Sequence, residues 1–120
     1  MRPHEKLETW SQSMDFVVDV YRATEYFPKE EKFGLSSQIR RAAVSVPANI
    51  AEGAARHSGK EFSHFLLNAQ GSASELETEL LIAQRLGYID QSRFTELRAS
   101  LDKIGRLITG LDQHLRQKNN

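Results

Sequence analysis

Apolar residues recur at Trp10, Met14, Val17 and Tyr21, a helical spacing that Pro28 ends, so the pattern predicts a first helix over about 9–27. A second pattern at Leu35, Ile39, Ala42, Val46 and Ile50 runs to Gly53 and predicts a helix over 33–53. Pro47 lies inside it, where it removes a backbone donor and crowds the carbonyl of Ala43, so a kink is expected rather than a break. Ser58 followed by Glu61 reads as a capping box for a third helix over 59–86. Its apolar positions, Phe62, Leu66, Ala69, Ala73, Leu76, Leu80 and Ala83, alternate by four and three until Gly87 stops them. The fourth helix, over 90–116, repeats that alternation at Phe94, Leu97, Leu101, Ile104, Ile108, Leu111 and Leu115, and residues 117–120 are expected to fray. No run alternates with period two between turn residues, so no sheet is predicted. Four helices with short connections make a single all-α domain over 1–120, an antiparallel up-down-up-down four-helix bundle. The seven-residue spacing predicts left-handed crossings.

Two features exceed a plain bundle. The first helix carries a second stripe, Phe16, Val20, Ala23 and Phe27, and one core cannot use both stripes. The expectation is that Phe16, Val20, Ala23 and Phe27 meet another copy in a homo-oligomer. The alternative is that they pack beneath the connection from Lys29 to Gly34.

The second feature is polar. Gln38, Arg41, Ser45, Asn49 and Glu52 fall on one face of the second helix, and His64, Asn68, Ser72, Glu75 and Glu79 on one face of the third. With the turn centred near His57 and Ser58, Gln38 lies level with Glu79, Arg41 with Glu75, Ser45 with Ser72, Asn49 with Asn68, and Glu52 with His64. The expectation is a hydrogen-bonded seam whose partly buried Arg41–Glu75 ion pair fixes register; the alternative is that both stripes face water. Mid-helix Gly71, which costs about 1 kcal/mol against Ala, is expected to have a packing reason.

Composition narrows the chemistry. The chain has 120 residues, 39% of them hydrophobic and 27% charged, enough apolar content for one core. Zero cysteines exclude disulfides, thiolate metal sites and cysteine nucleophiles, and suit the cytoplasm. The N-terminal ten residues lack the pattern of a secretory signal, and no apolar run approaches the roughly 20 residues of a membrane span. Gly53 to Lys60 resembles a phosphate loop but has five residues between its glycines, and Glu61 where Ser or Thr belongs. Glu61 and His64 form one Glu-x-x-His pair, where a di-iron bundle needs two pairs and two further carboxylates. No nucleophile elbow or triad is evident, so no enzyme, metal or cofactor is expected.

Sixteen basic residues balance sixteen acidic ones. They are unevenly placed, since Glu61 to Gln84 holds four Glu and no Lys or Arg, while Arg40, Arg56 and Lys60 precede it and Arg98 and Arg106 lie on the fourth helix. In a ring of copies these five cations are candidates for phosphate contacts on RNA; a mixed soluble surface is the alternative.

The stretch from Phe33 to Gly53, FGLSSQIRRAAVSVPANIAEG, and that from Phe62 to Glu77, FSHFLLNAQGSASELE, are distinctive. They resemble the bacterial four-helix-bundle family encoded by intervening sequences in 23S ribosomal RNA genes. That family looks related to the accessory protein of diversity-generating retroelements, a barrel-shaped homopentamer that binds nucleic acid and its reverse transcriptase. The resemblance implies a cytoplasmic homopentamer without catalytic residues. It matches at Gln38, Arg41, Ser45, Asn49, Glu52, Ser72 and Glu75 and departs in charge, since the retroelement protein is strongly basic. Two functions follow as expectations: a non-enzymatic homo-oligomer that binds RNA or a ribonucleoprotein partner, or a protein-interaction scaffold with no nucleic acid.

Overall fold

The structure is a computed structural model that describes residues 1–118, and its regular elements are helical throughout. Four long helices, α1 (Glu8–Thr24), α2 (Leu35–Ala54), α3 (Gly59–Arg85) and α4 (Gln91–Lys118), follow one another with short connections. Single 3-10 turns at Pro3–Lys6 and Lys29–Glu31 precede α1 and α2. Each helix packs against its neighbours in sequence, and α1 also meets α4, which closes the bundle. No helix of the described residues is long and apolar enough to cross a membrane.

The boundaries have local causes. The Ser58 hydroxyl accepts the Glu61 amide at 3.1 Å and caps α3 as the sequence predicts, and the Asp90 carboxylate accepts the Arg93 amide at 2.7 Å at the start of α4. At the other end of α3, Gly87 takes φ +79°, which brings the Tyr88 amide back to the Ala83 carbonyl at 2.9 Å and the Gly87 amide to Gln84 at 3.0 Å, a Schellman closure. The α2 helix continues through Pro47, which is itself buried. Its first turn is capped from outside, since Glu31 Oε1 accepts the Leu35 amide at 3.1 Å. The α4 helix includes Gln117 and Lys118, which the sequence reading placed in a frayed tail; the rest of that tail, residues 119–120, lies outside the described residues.

The core takes Ile39, Ala42, Ala43, Val46 and Ile50 from α2 and Leu66, Ala69, Ala73, Leu76, Leu80 and Ala83 from α3. Phe94, Leu97, Leu101, Ile104 and Ile108 complete it from α4. On α1 the expectation is reversed in part, since Trp10 and Val17 of the predicted core stripe still pack against the core from half-buried positions while Met14 and Tyr21 turn outward. Phe16 and Val20 are buried in the chain's own core, Phe27 follows them inward just past the helix, and Ala23 is half-buried against them. These four residues are therefore not a free oligomer interface. The outward residues are Met14, Val18 and Tyr21, each more than 40% exposed.

The physical reason lies in the polar residues between the stripes. Thr9, Ser13 and Thr24 share the inward face, where the Ser13 hydroxyl donates to the Thr9 carbonyl at 2.7 Å and the Thr24 hydroxyl to the Val20 carbonyl at 2.9 Å. Short hydroxyls satisfied by the preceding turn can be buried at little cost, so polarity at those positions does not mark the wet face.

Candidate functional site

The seam between α2 and α3 forms at its centre. The Ser45 and Ser72 hydroxyls meet at 2.8 Å, and Asn49 Nδ2 donates to the Ser45 hydroxyl at 3.0 Å and to its carbonyl at 2.8 Å. This bond sets the register expected from the sequence, with the two helices running in opposite directions. The hairpin closes tightly at Gly53, where an added Cβ would lie 2.8 Å from both Phe62 Cδ1 and Phe65 Cβ. The glycine required by close approach is Gly53; around Gly71 nothing lies within 4 Å of a built Cβ, contrary to expectation.

Away from its centre the seam opens to water. Gln38, Arg41, Glu52, His64, Asn68 and Glu75 are exposed. Arg41 and Glu75 make no ion pair among the described residues, which corrects the expected register-fixing bridge. Both side chains sit on the solvent flank of the helix pair, where holding two long chains in one geometry gains little. Glu52 pairs instead with Arg56 one turn along its own helix at 3.2 Å, and the His64 ring lies edge-on to Phe65. Asn49 bonds within α2 rather than to Asn68.

Glu79 is the exception, being buried with Oε1 lacking any partner among the described residues. Burial, then a hydrogen bond with the Glu75 carboxyl and its charge, pushes the Glu79 pKa up to about 7.

The five candidate phosphate cations separate. Arg40 is committed to α1: its Nε donates to Thr24 Oγ1 at 2.8 Å, an Nη donates to the Tyr21 carbonyl at 3.2 Å, and its guanidinium lies 4.4 Å from the Tyr21 ring centre. Arg40 is thus a clamp between α1 and α2 and not a free phosphate contact. Arg56 is shared between Glu52 and the face of Phe65, 4.8 Å away, and Arg98 faces Glu77 at 3.4 Å. Lys60 and Arg106 are exposed with no ion pair among the described residues. Lys60 joins Arg56, Ser58, Glu61, His64 and Phe65 around a shallow groove of about 630 Å³ at the α2–α3 turn. Arg106 borders a groove of about 490 Å³ between α3 and α4 that also holds Glu77 and Asp102, so its charge is locally offset.

Two features were not found from the sequence. One is Glu31, whose carboxylate caps α2 with one oxygen and accepts the Tyr88 hydroxyl with the other at 2.9 Å. A lone Glu in a charged connection carries no signal of this. The other is an outward apolar face in which Val17, Val18 and Tyr21 line a shallow groove of about 560 Å³ with Arg22, Glu25 and Arg40 at its rim. Met14 extends this face along α1, and Val44, 42% exposed, stands one turn beyond Arg40 on α2. Val44 falls outside the Ile39, Ala42 and Val46 core spacing, and that was the available clue.

The sequence model of the 23S rRNA-intervening sequence protein family matches residues 5–110. The chain belongs to that family. The bundle is also similar to the crystal structure of a protein of unknown function from the S23 ribosomal protein family of Bacteroides thetaiotaomicron. The TM-score is 0.78 at 25% identity, over 87% of this chain and 97% of the other. No curated protein matches it. The match to the 23S rRNA-intervening sequence proteins spans α1, α2 and α3 whole and most of α4, so the seam and the outward face both lie inside it.

Proposed function

We propose that this member of the 23S rRNA-intervening sequence protein family is a non-enzymatic scaffold that self-associates through the outward face of α1 and α2 and holds a macromolecular partner as an assembly. The observation that carries this reading is the apolar face of Met14, Val18, Tyr21 and Val44, left uncovered on a bundle whose opposite stripe already fills the core. A second copy is its occupant. The rim carries both Arg22 and Glu25, so two copies can offer each other opposite charges, and a chain of net charge +0 does not repel itself at long range. The resemblance noted from the sequence supports five copies, and the absence of cysteine suits the cytoplasm.

Light scattering on the purified chain tests the assembly. A mass of about 68 kDa, five times the 13.6 kDa chain, is expected, and Val18→Asp should return it towards the monomer. A wild-type mass of one chain overturns the reading.

RNA is the second reading, favoured by Arg56 and Lys60 around one groove at the α2–α3 turn, which an assembly would repeat on each copy. Fluorescence anisotropy with a structured RNA at low and moderate salt separates the two. Tight, salt-sensitive binding lost in Lys60→Ala supports RNA, whereas no binding at low salt leaves the protein scaffold.

A further inference from the structure

A carboxylate is seldom buried without a cation beside it, and Glu79 is only 7% exposed. It lies on the α2-facing row of α3, seven residues beyond Ser72, and the Ser45–Ser72 register puts it level with Gln38, a neutral side chain. The charged groups on every side leave it unneutralised. On α3, Glu75 stands one turn away with a like charge, and Glu77 faces Arg98 of α4. On α2, Arg41 is exposed and makes no ion pair. Ahead of α2, Glu31 is engaged by the Leu35 amide and by Tyr88 from the α3–α4 turn.

Glu75 and Glu79 stand one turn apart on α3, and because ionised carboxylates only accept hydrogen bonds, the two can bond to each other only with a proton between them. Glu79 Oε1 has no other donor to turn to among the described residues. An ionised Glu79 would therefore be a largely buried charge beside a second negative charge, and it gains hydration when the first turns of α2, which the Ser45–Ser72 register sets opposite it, move off it.

We propose that Glu79 and Glu75 form a proton-holding clasp on the α2–α3 interface. It is closed while Glu79 carries the proton it donates to Glu75, and it loosens the N-terminal half of α2 when that proton leaves. The clasp thereby makes one end of the bundle responsive to pH near neutrality. The direction follows from linkage. In the unfolded chain Glu79 ionises near the ordinary 4.5, and in the folded chain at about 7, so between those values the folded state binds the extra proton and stability falls as pH rises.

The test combines carbon-13 titration of the Glu79 side-chain carboxyl, amide hydrogen exchange along α2, and thermal melts of the wild type, Glu79→Gln and Glu75→Gln between pH 5 and 8.5. The Gln at 79 keeps the shape and a donor for Glu75 but cannot titrate. Expected are a Glu79 midpoint near 7 that Glu75→Gln lowers, and a wild-type melting temperature that falls with pH relative to Glu79→Gln. Protection of the α2 amides before Val44, corrected for intrinsic exchange, should drop by about tenfold or more, a sub-global opening. A midpoint near 4.5, or wild-type and Glu79→Gln melting curves that stay parallel across the range, overturns the clasp. If Glu79→Gln does not fold, the wild-type titration and its shift in Glu75→Gln decide alone.

Discussion

Gly53 on α2 faces Phe62 on α3 so closely that a methyl group at Gly53 would stand 2.8 Å from Phe62 Cδ1 and 3.3 Å from the Phe62 carbonyl oxygen. A ring alone can swing aside, but the backbone oxygen and Phe65 Cβ, also at 2.8 Å, leave no such escape. Gly53→Ala is therefore expected to destabilise the protein by about 1–3 kcal/mol through overpacking of the hairpin. Gly71→Ala should do the reverse and stabilise by up to about 1 kcal/mol, since Gly71 is helical, exposed and has open space around it. Chemical denaturation of the two variants checks both signs.

Arg40 ties α2 to the last turn of α1 through Thr24 and Tyr21. Truncation to Ala should cost about 1–2 kcal/mol, from the loss of the part-buried hydrogen bond to Thr24, the exposed one to the Tyr21 carbonyl and a part-exposed cation–π contact. Thr24 keeps its bond to the Val20 carbonyl, so no buried hydroxyl is stranded. If RNA binds at all, Arg40→Ala should leave its affinity unchanged at equal folded fraction, in contrast to Lys60→Ala.

Arg41 gives the opposite expectation to its neighbour. Exposed and without an ion pair, it should tolerate Ala within about 0.5 kcal/mol in a thermal melt. A loss near 3 kcal/mol would restore the buried Arg41–Glu75 bridge. Ser72→Ala, which removes the partner of Ser45 at the centre of the seam, should cost about 1 kcal/mol.

Glu31 joins the start of α2 to the α3–α4 turn, and Glu31→Ala should lower stability by about 1 kcal/mol through loss of the cap-type bond to Leu35. Tyr88 donates to Glu31, and that bond, with smaller help from desolvation and the Glu31 and Glu30 charges, raises the phenol above its ordinary 10. The bond is fully present below that ordinary value and is lost as pH rises through the higher folded one. Alkaline melts of wild type and Tyr88→Phe should accordingly converge at high pH.

Much of the fold was legible because heptad-like spacing has one physical meaning on a long helix. The alternation from Phe62 to Ala83 and from Phe94 to Ile108 maps onto buried positions almost residue by residue, and Ser58 and Gly87 cap α3 through rules that involve only near neighbours. The level of Ser45 with Ser72 was also legible, since a short turn between two regular helices fixes which residues come opposite. On α1 the same reasoning failed. Two stripes with equal spacing compete for the core there, and the winner is the one whose interleaved Thr9, Ser13 and Thr24 can satisfy their hydroxyls inside the helix.

By itself, then, the sequence determined the number of helices, their approximate limits, the α2–α3 register and most of the core, because these depend on periodicity and local capping. Only the tertiary structure decided which face of α1 turns inward, that Arg40 is held by Thr24 and Tyr21, that Arg41 and Glu75 stay apart, and that Glu79 is buried. Those outcomes depend on distances of a few ångströms between side chains far apart in the chain. Spacing along one helix brings two residues to the same level but does not say whether water or another side chain fills the gap between them.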